Sequence, residues 1–386
     1  MVNNLVGPPV LGPDFVGRRS EIASAWSNLT SGNSLLLASP RRVGKSSFSH
    51  KLIEIAQNNE WNTIYLDLQG IETENKFAEV LLKAVKAIRE KQSPLLRTTD
   101  RLKELFSKVR KVEVSGVGVE FEEQINEFYD ELEKKLFFDK KTLIVVDELA
   151  VFLQALLQKS DFGRVELFMN WIRKIRQQKS EQIAWVFCSS ISITSFVSQN
   201  KLSHTINDLY PFNLGEMTDK EAESLLEQLC AGAGITPFTQ KESATILNRI
   251  GWKLPFFIQL FFRKYTERMT ERKEAELKDM IDDIFDQIIH EHQLFTWSER
   301  LSGYGRYESV ARTLLNYLCQ PEHRSDRAHL ETIVSPDCER IGQPNEVYAE
   351  VKQMLDNDGY LMSDKSGNIF FRSPIIREYW FSKYVQ

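Results

Sequence analysis

The stretch LLLASPRRVGKSSFSH, residues 35–50, decides the fold that this sequence predicts. It reads as a short apolar strand, a loop, and a helix that starts near Gly44. Loops that bind phosphate follow the pattern G-x-x-x-x-G-K-[ST] between a strand and a helix. Gly44, Lys45 and Ser46 fill the last three places, whereas Ser39 stands where the first glycine belongs. A serine is compatible there because it is small and because Pro40 after it favours an extended backbone.

The loop residues supply the chemistry that holds the phosphates of a nucleotide. Backbone N–H groups at a helix N-terminus attract anions, and Gly44 lets the backbone approach the phosphates closely. Lys45 is expected to reach the β- and γ-phosphates, and the Ser46 hydroxyl to bind Mg²⁺. The cofactor-binding loop predicted here consists of Ser39, Pro40, Arg41, Arg42, Val43, Gly44, Lys45, Ser46 and Ser47.

A second stretch, LIVVDE at residues 143–148, supplies two carboxylates at the end of an apolar strand. Ligands of open α/β sheets bind at the carboxyl ends of the strands. Asp147 is therefore predicted to hold Mg²⁺ through its water shell, and Glu148 to orient or deprotonate the attacking water. Lys45, Asp147 and Glu148 form the predicted catalytic set.

The roles of four further residues stay open at this point. Ser189 and Ser190 follow the next apolar strand. One of them could contact the γ-phosphate or the attacking water, or they could be ordinary cap or turn residues. Arg41 and Arg42 either bind phosphate or anchor the loop to acidic neighbours, and anchoring is favoured. No arginine finger is assigned.

Apolar strands at 34–38, 62–68, 141–147 and 183–189 alternate with helices, which predicts a parallel sheet sandwiched by helices. The alternation stops near residue 215. Only helices are predicted over 218–300, and three helices and a hairpin with its turn at 365–368 follow. The fold class is thus an α/β P-loop NTPase followed by a helical lid and a C-terminal winged-helix domain, with boundaries 1–214, 215–303 and 304–386. A second hairpin is predicted at 112–121.

Composition excludes several classes of protein. The 386 residues are 42% hydrophobic and 27% charged, with a net charge of −5, so the whole chain is not an electrostatic nucleic-acid binder. The four cysteines are scattered without metal-binding spacing. No signal peptide and no apolar run of membrane-spanning length is visible, so a cytoplasmic location and no membrane partner are expected.

Taken together, these stretches resemble the STAND-type P-loop ATPases, especially the archaeal-type branch of AAA+-related proteins near the origin-recognition ATPases. The resemblance covers nearly the whole chain. It rests on FVGRRSE (15–21), SPRRVGKSS (39–47), LIVVDE (143–148), YPFNLGEMTDKEAESLL (210–226), GWKLPFF (251–257) and DNDGYLMSDKSGNIFFRSPIIREYW (356–380).

The resemblance implies ATP and Mg²⁺ as cofactors and a slow hydrolysis that controls domain closure. It implies that Gly17 and Arg18 line the adenine side and that Pro255 caps the base from the lid. In related switches a histidine of the winged helix contacts the β-phosphate. Here Phe371-Arg372-Ser373-Pro374 contains no histidine, and whether Arg372 replaces it stays open.

The favoured function is a molecular switch whose partner is a separate effector or signalling protein, in a defence or signalling pathway. A homo-oligomer is compatible with this.

The alternative is a DNA-binding or remodelling ATPase that uses the winged helix or the basic stretch 83–111, which holds ten Lys or Arg against three Asp or Glu. The acidic helix 345–358 disfavours DNA. An inactive nucleotide-binding module is disfavoured because Lys45, Asp147 and Glu148 are intact, and the missing Asn-Lys-x-Asp tetrapeptide favours ATP over GTP.

Overall fold

The computed structural model describes residues 2–92, 119–189, 193–271, 277–320 and 324–385. The chain divides into two compact units. The sheet unit comprises Ser20–Ala38 and Phe48–Asn213, and the loop unit comprises Met1–Arg19, Ser39–Ser47 and Leu214–Gln386. Within the described ranges, no helix combines the length and the apolar character that crossing a membrane requires.

The sheet unit is built on a parallel sheet. Across the sheet, the described strands are ordered β2 (Asn62–Asp67), β3 (Thr142–Asp147), β4 (Ile183–Cys188), β1 (Leu35–Leu37) and β5 (Tyr210–Phe212). All neighbouring pairs are parallel. Every residue of β3 and β4 is buried, as expected of central strands in a parallel sheet, and this burial is why both strands read as continuous apolar runs.

Helices connect the strands. Phe77 packs its ring against Phe152 and Phe168 in the hydrophobic core of the sheet unit. The described helices up to residue 213 are α1 (Arg19–Thr30), α2 (Lys45–Asn58), α3 (Glu74–Gln92), α4 (Val119–Lys135), α5 (Leu149–Lys159), α6 (Phe162–Gln178) and α7 (Ile193–Gln199).

Between residues 218 and 300 the described elements are all helices, as predicted, whereas the break predicted at 301–306 lies in a 3₁₀ helix. Capping boxes at Thr218 with Glu221 and at Thr239 with Glu242 fix the starts of two helices. The helices are α8 (Asp219–Ala233), α9 (Gln240–Ile250), α10 (Pro255–Glu271), α11 (Leu277–Ile289) and α12 (Phe295–Glu299). Short 3₁₀ helices along the chain are Gly12–Asp14, Ser203–Thr205, His292–Leu294 and Arg300–Tyr307.

The last segment combines helices with the predicted hairpin. Asp364 closes the hairpin turn by accepting hydrogen bonds from the backbone N–H groups of Ser366 and Asn368. Ser325 forms an isolated antiparallel bridge to Ile369. The elements are α13 (Glu308–Leu318), α14 (Arg327–Glu339), α15 (Pro344–Asn357), β6 (Leu361–Ser363), β7 (Ile369–Phe371) and α16 (Pro374–Tyr384).

Two predicted features fall partly outside the described residues. Most of the hairpin predicted at 112–121 lies there, and its last residues, Val119–Phe121, begin α4 instead, so the prediction is wrong for them. Of the basic stretch 83–111, the described part belongs to α3. The division into three domains at 214 and 303 stays a prediction.

Candidate nucleotide-binding site

The loop between β1 and α2 contains two residues with left-handed backbone. Arg42 has φ 67° and Gly44 has φ 95°, a region that glycine reaches easily and other residues rarely. None of the described residues lies within 4 Å of the place that a Cβ on Gly44 would take. The backbone conformation at φ 95° therefore favours glycine, and the space beside it is open to a ligand.

Lys45 begins α2 and folds its side chain back over the loop. Its Nζ donates hydrogen bonds to the backbone oxygens of Ser39, at 2.7 Å, and Pro40, at 2.8 Å. The first N–H groups of a helix have no partner within the helix, and the helix dipole favours an anion beside them. A helix N-terminus that begins with a buried lysine is an arrangement that binds phosphate.

Ser39 has a structural role that explains the departure from the loop pattern. Its Oγ accepts a hydrogen bond from the backbone N–H of Leu214 at 2.7 Å, and the residue is buried. A glycine at this position would leave that buried N–H without its partner. The serine thus links the loop to the chain that enters the C-terminal helices.

Arg18 also links the loop to the chain just after Leu214. Its guanidinium donates hydrogen bonds to the backbone oxygens of Gly215 at 2.6 Å, Glu216 at 3.0 Å and Val43 at 3.5 Å. The residue is 3% exposed and has a left-handed backbone with φ 62°. Its guanidinium therefore holds backbone of the loop and of residues 215–216, next to the predicted adenine side.

Gly17 and Ser47 make further contacts within the loop unit. A Cβ on Gly17 would lie 3.0 Å from Oε1 of Glu221 and 3.1 Å from Cε of Met217. A side chain at this position would make tight contacts with the ends of two flexible side chains, and the φ of 77° favours glycine. The Ser47 hydroxyl accepts a hydrogen bond from the backbone N–H of Val10 at 3.0 Å.

Arg42 contacts an aromatic ring near the start of α10. Its guanidinium lies 4.4 Å from the centre of the Phe256 ring, and Pro255 is the first residue of that helix. Burial lowers the pKa of Arg42, and the charge of Arg41 lowers it further. Among the described residues Arg42 forms no ion pair with a carboxylate, so the predicted anchoring partner is an aromatic ring and not an acidic residue.

Pro40 lies against the loop that follows α15. Gly359 has φ 83°, and a Cβ there would collide with the Trp252 indole and lie 3.0 Å from Cβ of Pro40. Arg372 places its guanidinium 5.3 Å from the centre of the Trp252 ring. Burial lowers the pKa of Arg372, and the negative charges of Asp356 and Glu216 oppose this. Arg372 thus lies over the Trp252 ring. Gly359 packs against both Trp252 and Pro40, so it connects this ring with the loop.

Asp147 ends β3 in the sheet unit, as predicted, and Glu148 follows with a left-handed backbone, φ 60°. The Asp147 carboxylate is buried. Its Oδ1 accepts from the backbone N–H of Glu148 at 3.0 Å, and its Oδ2 accepts from the Tyr65 hydroxyl at 2.6 Å.

The Tyr65 ring stacks on the His50 ring, with the ring centres 4.4 Å apart. Burial lowers the pKa of His50, opposed by the charge of Asp147. Sequence reasoning missed Tyr65 and His50.

Ser189 follows β4 and is 1% exposed. Its Oγ has no hydrogen-bond partner among the described residues, which leaves a buried hydroxyl able to bond a ligand. Ser190 lies outside the described residues. In the sheet unit β3, β4 and β1 are parallel neighbours, so Asp147, Ser189 and the end of β1 lie at one edge of the sheet.

The predicted metal ligands have suitable chemistry for Mg²⁺. Asp147 offers a carboxylate and Ser46 a hydroxyl. Mg²⁺ prefers oxygen ligands and usually takes one or two carboxylates together with waters and substrate phosphates. The donor set therefore fits the ion.

Comparison with known proteins identifies the fold. No protein-family model and no curated protein matches the sequence. Among solved structures, a Walker-type ATPase of Pyrococcus abyssi is similar with a TM-score of 0.63 and 13% identity, over 98% of this chain and 99% of the other. The ORC2 protein of Aeropyrum pernix, in ADPNP–ADP complexes, is similar with a TM-score of 0.55 and 12% identity, over 98% and 97%.

This likeness, together with the parallel sheet and its flanking helices, shows that the chain has the α/β fold of P-loop NTPases. The helical region after the sheet is part of the similarity, because nearly the whole length of each chain is covered. The predicted fold class is therefore confirmed at this level.

Proposed function

We propose that this protein binds ATP with Mg²⁺ and hydrolyses it slowly as a molecular switch. The observation that carries the proposal is the buried Lys45 ammonium, which sits at the start of α2 in a loop whose backbone turns at Gly44. The similar structures from P. abyssi and A. pernix are an ATPase and an ADPNP–ADP complex by their own descriptions. Both descriptions support a nucleotide as the ligand.

The proposed roles follow from the chemistry of each group. Lys45 and the backbone N–H groups of the loop bind the phosphates, and Glu148 accepts a proton from the attacking water. Ser46 and Asp147 would hold Mg²⁺, which neutralises charge on the phosphates when it is bound. Ser189 would donate a hydrogen bond from its hydroxyl to the γ-phosphate or to the water. Gly17, Arg18 and Pro255 are proposed to border the base.

We further propose that the nucleotide state is passed on through the loop unit to a protein partner, as in STAND-type switches. Contacts at Ser39, Pro40 and Arg42 support this, because they join the loop to Leu214, Gly359 and Phe256. A loop that moves when phosphate binds would displace these neighbours. A cytoplasmic location and an effector or signalling partner belong to the same proposal.

DNA binding by the predicted winged helix stays the alternative, and the ion pairs of two described basic residues count against it. On α15, Lys352 is paired with Asp356 at 2.5 Å, so its charge is already matched. In the described part of the basic stretch, Lys83 pairs with Glu79. Phosphate contacts need Lys and Arg that are available to the backbone of DNA.

The proposal is tested first by ATP binding to Lys45→Ala. The variant is expected to lose measurable binding in a calorimetric titration with Mg²⁺. Lys51→Ala is the matched control, since Lys51 lies on the same helix but pairs with Glu54 at 2.9 Å. Equal ATP affinity of wild type and Lys45→Ala would refute the site.

The partner is tested by capture with Glu148→Gln in the presence of ATP, with and without nuclease. A captured protein that survives nuclease supports the switch. A complex that disappears on nuclease treatment supports DNA binding instead.

A further inference from the structure

Tyr65 lies on the strand next to the proposed catalytic carboxylates. The register of β2 and β3 pairs Tyr65 with Val145 and Asp67 with Asp147. Residues two apart on a strand face the same side of the sheet, so Tyr65 and Asp147 lie on one face, as diagonal neighbours. An aromatic side chain is long enough to bridge that diagonal, and Tyr65 does so toward the carboxyl edge.

The Asp147 carboxylate is held through both of its oxygens. Tyr65 Oη donates to Oδ2 at 2.6 Å, and the backbone N–H of Glu148 donates to Oδ1 at 3.0 Å. Two donors on opposite oxygens fix the rotation of the carboxylate plane. A carboxylate offers about four acceptor sites, which is more than these two bonds use.

The phenol ring is itself supported. His50 of α2 stacks on it with the ring centres 4.4 Å apart and the planes 19° from parallel. Thr63 lies two residues earlier on the same strand, and its hydroxyl accepts a hydrogen bond from the side-chain amide of Gln57 of α2. The side chain of Tyr65 is therefore held between α2 and β3, with its hydroxyl on the acid that the proposed function assigns to Mg²⁺.

We propose that Tyr65 is a positioning residue for the Mg²⁺–nucleotide complex, acting through Asp147. This inference rests on the proposed function. Hydrogen bonds to metal-ligating groups orient them, and removing such a partner typically lowers metal affinity by about 10- to 100-fold. Tyr65 is expected to do this for Asp147, with no effect on the nucleotide when the metal is absent.

The test is ATP binding to the full chain of Tyr65→Phe, measured from chelator alone to millimolar Mg²⁺. The variant keeps the ring that stacks on His50 and loses only the hydroxyl. We expect ATP affinity in chelator to stay within about twofold of wild type and the Mg²⁺ midpoint of tight binding to rise about 10-fold. Tyr307→Phe is the matched control, because the Tyr307 hydroxyl also donates to a carboxylate, Glu350, at 2.6 Å. It should leave the midpoint unchanged.

A double-mutant cycle separates positioning from general damage. In an Asp147→Ala background, Tyr65→Phe should change the Mg²⁺ midpoint no further. An unchanged midpoint in the single variant, an equal loss of affinity in chelator and in Mg²⁺, or a further loss in the Asp147→Ala background would each overturn the inference alone. Absence of ATP binding by the wild-type protein under every condition would overturn the proposed function, and the inference with it.

Discussion

The guanidinium of Arg42 lies 4.4 Å from the centre of the Phe256 ring, within the loop unit. This contact shows how an arginine of the proposed phosphate-binding loop is held. An aromatic ring attracts the cation without neutralising its charge. Arg42 also has a left-handed backbone, φ 67°, which costs a non-glycine residue about 1–2 kcal/mol. The contact with Phe256 helps to offset that cost.

Anchoring by Phe256 predicts an energetic coupling between these two side chains. In a double-mutant cycle of Arg42→Met and Phe256→Leu, unfolding by urea should show a coupling of about 0.5–1 kcal/mol. Both single variants should change ATP affinity to a similar, small extent. An Arg42 that binds phosphate directly would instead make Arg42→Met lose far more ATP affinity than Phe256→Leu.

Ser39 supports a second prediction, which concerns the missing first glycine. Ser39→Gly restores the usual loop pattern but removes the acceptor of the buried Leu214 N–H. An unpartnered buried donor costs about 1–3 kcal/mol, so the urea midpoint should fall although the motif looks improved.

ATP affinity should change little in Ser39→Gly, because the backbone oxygen that Lys45 contacts is retained. Ser39→Thr, which keeps a hydroxyl, is the control for stability. A Ser39→Gly protein as stable as wild type would show that the bond to Leu214 contributes nothing.

Local sequence patterns predicted much of the fold. The strands expected at 34–38, 62–68, 141–147 and 183–189 are found at 35–37, 62–67, 142–147 and 183–188. These patterns work because a strand buried on both faces needs a continuous apolar run, and a helix needs apolar spacing and a start signal. The hairpin predicted at 112–121 was wrong for residues 119–121, because alternation around glycines does not exclude a helix start.

Contacts between distant residues could not be predicted in the same way. Ser39 and Leu214 are 175 residues apart, and Tyr65 and Asp147 are 82 apart. The alternation in NTIYLDL does place Tyr65 on the face opposite Ile64 and Leu66. Only the register of β2 against β3 shows that this face carries Asp147.

Gly359 gives a third prediction, about the contact between the loop and the C-terminal segment. Gly359→Ala adds a Cβ that collides with Trp252 and lies 3.0 Å from Pro40. It also places alanine at φ 83°. Gly359→Ala should therefore lose about 1–2 kcal/mol from backbone strain and about 1–3 kcal/mol more from overpacking.

Gly367→Ala is the matched control for Gly359→Ala. Gly367 has nearly the same φ, 85°, and no described atom within 4 Å of an added Cβ. It should show the backbone cost alone in thermal or urea unfolding. ATP affinity should fall in Gly359→Ala and not in Gly367→Ala, because only the former disturbs Pro40. Equal effects of the two variants on both measurements would contradict the role of this contact.

Glu148 combines a proposed chemical role with a strained backbone. It precedes α5 at the N-cap position with φ 60° and makes no side-chain capping bond. Strain of this kind is found at functional sites, where the surrounding structure holds it.

Glu148→Gln should keep ATP affinity within about threefold while hydrolysis falls by about 100-fold or more, within the range expected for loss of a general base. Single-turnover phosphate release measures this directly. Glu148→Gly should lose hydrolysis equally but gain about 1 kcal/mol of stability, because glycine relieves the left-handed strain. Wild-type turnover in either variant would show that Glu148 does not activate the water.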